Sequence, residues 1–148
     1  MALAVPSSVA SSDSSARAVR FLHEHQRGVL TTFRSDGRPA MSPVLAAVDD
    51  EGRVLVSTRA TAYKVAHLRR DPRVALCSLS DGFFGEWAQV EGTAEIVELP
   101  DAMELLVDYY RRVSGEHDDW TAYREAMRAE QRVVLRFVIT RAGPTVSG

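Results

Sequence analysis

The stretch richest in groups capable of chemistry is Ser57-Thr58-Arg59-Ala60-Thr61-Ala62-Tyr63-Lys64-Val65-Ala66-His67-Leu68-Arg69-Arg70-Asp71-Pro72-Arg73. Hydroxyls close a β-branched run, a short helical pattern follows, and a cation stands within its first turn. A phosphate is held by backbone N–H donors, a favourable helix dipole and a nearby positive charge. This segment has the residue types for all three, with Lys64 as the compact charge. A solvated helix whose arginines lie over apolar surface accounts for the same run. Spacing alone favours that plainer account, because charge runs are commonly exposed faces. Lys64 has one further distinction: the 18 basic residues are 17 Arg and this one Lys. A planar fork and a point charge are not interchangeable at every site, although a genome favouring Arg codons explains the ratio equally well.

Elsewhere the chemical inventory is thin. Phe83, Phe84 and Trp87 surround two glycines, a composition suited to stacking on a planar ligand or a partner subunit, or to filling a core. There is no Gly-x-Ser-x-Gly elbow, no Gly-x-Gly-x-x-Gly loop and no P-loop. His23 and His25 are two apart and do not share a helix face. His67 and His117 meet only if folding brings them together, so no metal site is expected. Cys77, within Val-Ala-Leu-Cys-Ser-Leu, reads as a buried strand cysteine rather than a nucleophile. Glu116, Asp118 and Asp119 flank a loop and a helix start, where capping explains them.

The elements that must position these groups follow from pattern. Residues 1 to about 13 are small and Ser-rich and read as a frayed tail; with no basic n-region and with Pro6 breaking the apolar stretch, no secretory signal is expected. A helix starts near Ser14 or Ser15 and is stopped by Gly28. Val29 to Arg34, Ala40 to Val48 and Arg53 to Thr58 read as a three-strand meander with turns at Asp36-Gly37 and Glu51-Gly52. A short helix from Ala62 to Arg70, capped by Thr58 or Thr61, ends at Asp71-Pro72. Val74 to Leu79 and a long strand from Trp87 to Val97 follow, the latter with a bulge at Gly92. Pro100 opens a helix, another runs from Asp118 or Asp119 to Ala129, and Val133 to Ile139 closes the domain. About six mostly antiparallel strands with outer helices predict an α+β, barrel-like domain over residues 14 to 148.

Composition agrees with one compact domain. The chain has 148 residues, 45% hydrophobic and 26% charged, with a formal charge of −2 and a pI near 6.1. Such a balance argues against nucleic-acid or anionic-membrane partners, which need uncompensated positive charge. A single cysteine excludes an intrachain disulfide and a cysteine zinc cluster, and makes a cytoplasmic location the expectation. No apolar run approaches the ~20 residues that span a bilayer.

Three segments carry a resemblance. Gly28-Val-Leu-Thr-Thr-Phe-Arg-Ser-Asp-Gly-Arg-Pro39 resembles the opening hairpin of the pyridoxamine 5′-phosphate oxidase-like, flavin-binding split-barrel superfamily. Tyr63-Lys-Val-Ala-His-Leu-Arg-Arg-Asp-Pro-Arg-Val74 is similar to the segment after its third strand, and Val90-Glu-Gly-Thr-Ala-Glu95 to its long fifth strand. The Leu-Arg-Arg-Asp-Pro-Arg run and Tyr110 to Trp120, with Tyr123 and Arg124, look most like the actinobacterial branch that uses the deazaflavin coenzyme F420. The resemblance implies a six-stranded split barrel and a homodimer with two interfacial cofactor sites. It implies a phosphate site at Ser57, Thr58, Arg59, Tyr63 and Lys64, and a ring lying along Ser42, Pro43 and Val44. Phe84 or Trp87 would be lent by the second subunit, and Arg69 or Arg70 would meet the coenzyme's acidic tail. Ala62 stands where the family often has a second basic residue, with Arg59 to compensate. The implied activity is F420-dependent reduction of a small conjugated molecule. The alternatives are an FMN protein of the same fold, a non-catalytic F420 carrier, or a dimeric interaction module.

Overall fold

The computed structural model describes residues 12–144. Four helices and eight strand segments occur in the order α1 (Ser12–Glu24), β1 (Arg27–Phe33), β2 (Pro39–Val48), β3 (Arg53–Arg59), α2 (Tyr63–Arg70), β4 (Arg73–Leu79), β5 (Trp87–Thr93), β6 (Glu95–Val97), α3 (Met103–Ser114), α4 (Trp120–Ala129), β7 (Arg132–Val138) and β8 (Arg141–Gly143). The strands form one antiparallel sheet in the order β6-β7-β3-β2-β1-β4-β5-β8. This is the expected α+β class with a barrel-like curled sheet, of eight strand segments rather than about six. The tail read over residues 1–13 lies outside the described residues as far as residue 11, and α1 takes in Ser12 and Asp13.

Strand alternation builds two cores on the two faces of this sheet. Val54 and Val56 of β3 and Val133, Leu135 and Phe137 of β7 face inward and join Leu30, Leu76 and Val90 against Ala18, Phe21 and Leu22 of α1 and Val65 and Leu68 of α2. Ala47, Leu55 and Val134 point the other way, onto Leu106 and Val107 of α3 and Tyr123 and Met127 of α4. Period-two alternation in β3 and β7 thus becomes a double-sided wall.

The extra strands have a clear origin. The expected Trp87–Val97 strand is two strands broken at Ala94, whose N–H turns aside to the Pro72 carbonyl at 2.8 Å. β5 pairs with β4, whereas β6 pairs with β7 at the other end of the order. One chain segment therefore contributes to both ends of the sheet and curls it towards closure, which protects edges. Gly92 is no bulge: its pairing with Val74 is in unbroken register. It is small because β7 crosses there, and a Cβ would run into the Val138 carbonyl oxygen and lie 2.7 Å from Phe137 Cδ2.

Gly28, expected to stop α1, lies inside β1, where a Cβ would meet the Cys77 carbonyl oxygen at 2.8 Å. Neither Thr58 nor Thr61 caps α2, whose N-cap Ala62 offers no side chain. Pro100 precedes α3 in a turn, with Ala102 and Met103 donating to Glu98 and Pro100 carbonyls. Asp119 does cap α4, accepting from Ala122 N at 3.0 Å. Gly92→Ala is expected to destabilise the fold by about 2–3 kcal/mol, the range of overpacking. Gly82→Ala, with the nearest atom 3.9 Å away, is expected to change little; paired urea denaturation curves check both.

Candidate cofactor site

The local geometry starts at the β2–β3 junction. These strands pair at three positions only, Ala46 with Val56, Ala47 with Leu55 and Val48 with Val54. The next rung would join Leu45 and Ser57. The Tyr109 hydroxyl from α3 takes that place, donating to the Leu45 carbonyl at 2.8 Å. From the β3 side, the Ser57 N–H holds back the rise that burial imposes on the Tyr109 phenol pKa. Beyond this point β3 keeps only its pairing with β7, which runs its whole length and sets Ser57, Thr58 and Arg59 opposite Val134, Val133 and Arg132. A hollow of about 460 Å³ opens there, lined by Leu45, Ser57, Tyr109, Tyr110, His117 and Arg132 among others. A second of about 500 Å³ shares Arg132 and reaches Ala60 and Pro100.

The expected phosphate residues divide by alternation. Ser57 is half-buried at the first hollow and Arg59 is exposed, whereas Thr58 points into the barrel and is 6% exposed. Arg59 lies 3.5 Å from Glu130. Lys64 is half-buried on α2, with no ion pair or hydrogen bond to any described residue. Burial first, and then the Arg132 guanidinium, hold its ammonium below the usual lysine range. Two cations therefore face one region, and Arg132 alone has an acid, Glu130, at 2.9 Å. The first turn of α2 has no acidic residue and no side-chain cap. That combination fits an anionic group: a desolvated, uncompensated ammonium gains most from a charged oxygen. Tyr63 beside it is 85% exposed. Arg69 and Arg70 are already engaged, by Glu98 at 2.6 Å and the Phe33 carbonyl at 3.0 Å.

On β2, Ser42 and Val44 face the barrel interior and Pro43 the exterior. A ring along this stretch meets its backbone and the Pro43 face rather than three side chains together. Phe83 and Phe84 are 90% and 96% exposed and meet edge-on at 4.9 Å, and Trp87 is partly exposed, so none fills the core. His67 bonds Thr32 through Nδ1 at 3.0 Å, far in topology from His117, which packs with Tyr110, Trp120 and Tyr123. No group of metal-ligating residues forms among the described residues. Burial pushes the Cys77 thiol up, the wrong direction for a nucleophile.

The pyridoxamine 5′-phosphate oxidase family model matches residues 14–145, nearly the whole chain. The chain belongs to this family. It is a flavin-binding, oxidoreductase-related family built on the split barrel, in keeping with the curled sheet. The conserved hypothetical protein Rv2991 from Mycobacterium tuberculosis is similar at 30% identity and TM-score 0.70, covering 94% of this chain and 97% of that one. An F420 reductase shares the fold at 22% identity and TM-score 0.66, covering 84% and 94%. General stress protein 26 from Bacillus anthracis does so at 17% identity and TM-score 0.60, covering 84% and 88%.

The lining of the first hollow adds Tyr109, Arg132 and His117, which sequence reasoning did not place there. All three lie on α3, β7 and the α3–α4 connection, far along the chain from Ser57. Gln131, at φ 53°, makes the turn that delivers Arg132 to the site, its carbonyl accepting from Ala60 N at 2.8 Å.

The buried phenols give a pH prediction. Burial raises the Tyr123 pKa from 10.0 to about 12, and its hydroxyl donates to the Leu106 carbonyl at 2.7 Å. Above pH 10 the unfolded chain releases this proton while the folded chain keeps it. Stability is therefore whole below pH 10 and falls between pH 10 and 12, by about 1.4 kcal/mol per pH unit for one such group. Tyr123→Phe is expected to flatten that slope, as followed by denaturation at stepped alkaline pH.

Proposed function

We propose that this chain is an F420-dependent reductase, working as a homodimer in the cytoplasm on a small conjugated molecule. The observation that carries the reading is Lys64, a half-buried ammonium with a second cation nearby and no acid of its own. Supporting it are the family match and the fold shared with an F420 reductase. A phosphate of the coenzyme would be held by Lys64, with Ser57, Arg59 and Arg132 around it and the open N-terminus of α2 beside it. Ser42–Val44 would support the ring. Bound there, a reduced deazaflavin supplies a hydride. The protein's part is to bind, orient and exclude water.

A second copy of the chain supplies the missing wall. Met41, Leu45, Leu79 and Trp87 are 67%, 45%, 40% and 39% exposed. By strand register they share one face of β2, β1, β4 and β5 with Val29 and Cys77. An apolar patch running beside the site is the surface a partner subunit buries. It lies next to the Phe83–Phe84 loop, which the partner would bring over the ring.

Titration calorimetry with F420 and FMN side by side tests the coenzyme. F420 is expected to bind more tightly, and Lys64→Ala to weaken it about ten- to a hundredfold, the scale of a charged hydrogen bond. Tighter FMN binding, or an affinity indifferent to Lys64, would refute the assignment. Met41→Glu is expected to turn the dimer into a monomer by light scattering and to lower coenzyme affinity with it.

A further inference from the structure

The hollow between α3, α4 and the β2–β3 opening is lined by polar groups of unequal freedom. The Tyr109 and Tyr123 hydroxyls are already committed as donors, to Leu45 and Leu106 carbonyls at 2.8 and 2.7 Å. Arg132 is held by Glu130. His117 differs. Its Nδ1 accepts the backbone N–H of Asp119 at 2.8 Å, and Asp119 is itself fixed by capping α4. A neutral imidazole has one donor and one acceptor nitrogen, so the hydrogen resides on Nε2. No described residue accepts from Nε2. Because no buried side-chain nitrogen or oxygen is left without a partner, Nε2 is reached by solvent. The ring is packed against Tyr110 at 5.0 Å, Tyr123 at 5.4 Å and Trp120 at 5.6 Å between centroids.

We infer that this hollow is a binding subsite for a planar, largely apolar molecule carrying one acceptor oxygen, and that His117 selects that molecule by donating from Nε2. Leu45, Val113, Ala126 and Met127 supply the apolar walls, and the volume of about 460 Å³ admits a fused bicycle with room beside it. Leu45 follows directly on Ser42–Val44, so an occupant abuts whatever lies along β2. Its role as the substrate end of the cleft rests on the proposed reductase function; its binding preference does not. His117 is a specificity residue here, with no proton transfer assigned to it.

Equilibrium dialysis of the full chain against coumarin and against naphthalene, bicycles of similar size with and without a carbonyl, tests the inference. Coumarin is expected to bind about five- to tenfold more tightly, the worth of one neutral hydrogen bond. His117→Phe should abolish that preference while keeping naphthalene binding, which also certifies the fold. His117→Gln, which retains a donor, should recover part of it. Equal binding of the two probes, or a preference that survives His117→Phe, would overturn the inference. A preserved coumarin preference in a chain that binds no F420 upholds the His117 assignment and refutes only the coenzyme reading.

Discussion

The Tyr109 hydroxyl, seated where the fourth rung between β2 and β3 would lie, is the interaction on which the site depends. Two neighbouring strands that parted without it would leave the Leu45 carbonyl with no protein group to tie it across the gap. With it, β2 is free to turn away towards β1 while β3 stays with β7. The opening is lined from both sides because the strands separate there: β2 contributes Leu45, β3 contributes Ser57, and α3 contributes the phenol that keeps them joined.

The same divergence organises the electrostatics. Because β3 runs on beside β7 as far as Arg59 and Arg132, the end of the strand is rich in guanidinium groups. Glu130 serves both arginines, at 3.5 and 2.9 Å. Lys64 is left over, on a helix whose arginines have found Glu98 and a backbone carbonyl. An uncompensated ammonium kept partly from water is costly to the empty protein. Such local frustration marks places that a ligand completes.

Much of this was legible in order of residues. The meander, the Asp36-Gly37 turn, α2 ending at Asp71-Pro72 and the Asp119 cap all rest on local rules of capping, turn chemistry and alternation. The break at Ala94 was not legible, since alternation runs on through Trp87–Val97 and only the crossing of β7 over Gly92 makes the strand change partners. Gly28 misled for a related reason: glycine signals both a helix end and a close backbone approach, and here Cys77 requires the second. Tyr109, His117 and Arg132 became site residues only through contacts spanning tens of positions, which no local spacing encodes. A tyrosine at helical period on α3 reads as core, and the Leu45 carbonyl it serves leaves no mark in sequence.

The solitary lysine also has a practical corollary. Every other basic side chain is a guanidinium, inert to acylating reagents under mild conditions. A depressed ammonium carries a larger share of free amine near neutrality. Apart from the α-amine, an activated ester thus finds one amine in the whole polypeptide, the four imidazoles giving only short-lived acyl adducts, and the yield of a stable acyl adduct becomes a chemical gauge of whether that corner of the protein is occupied.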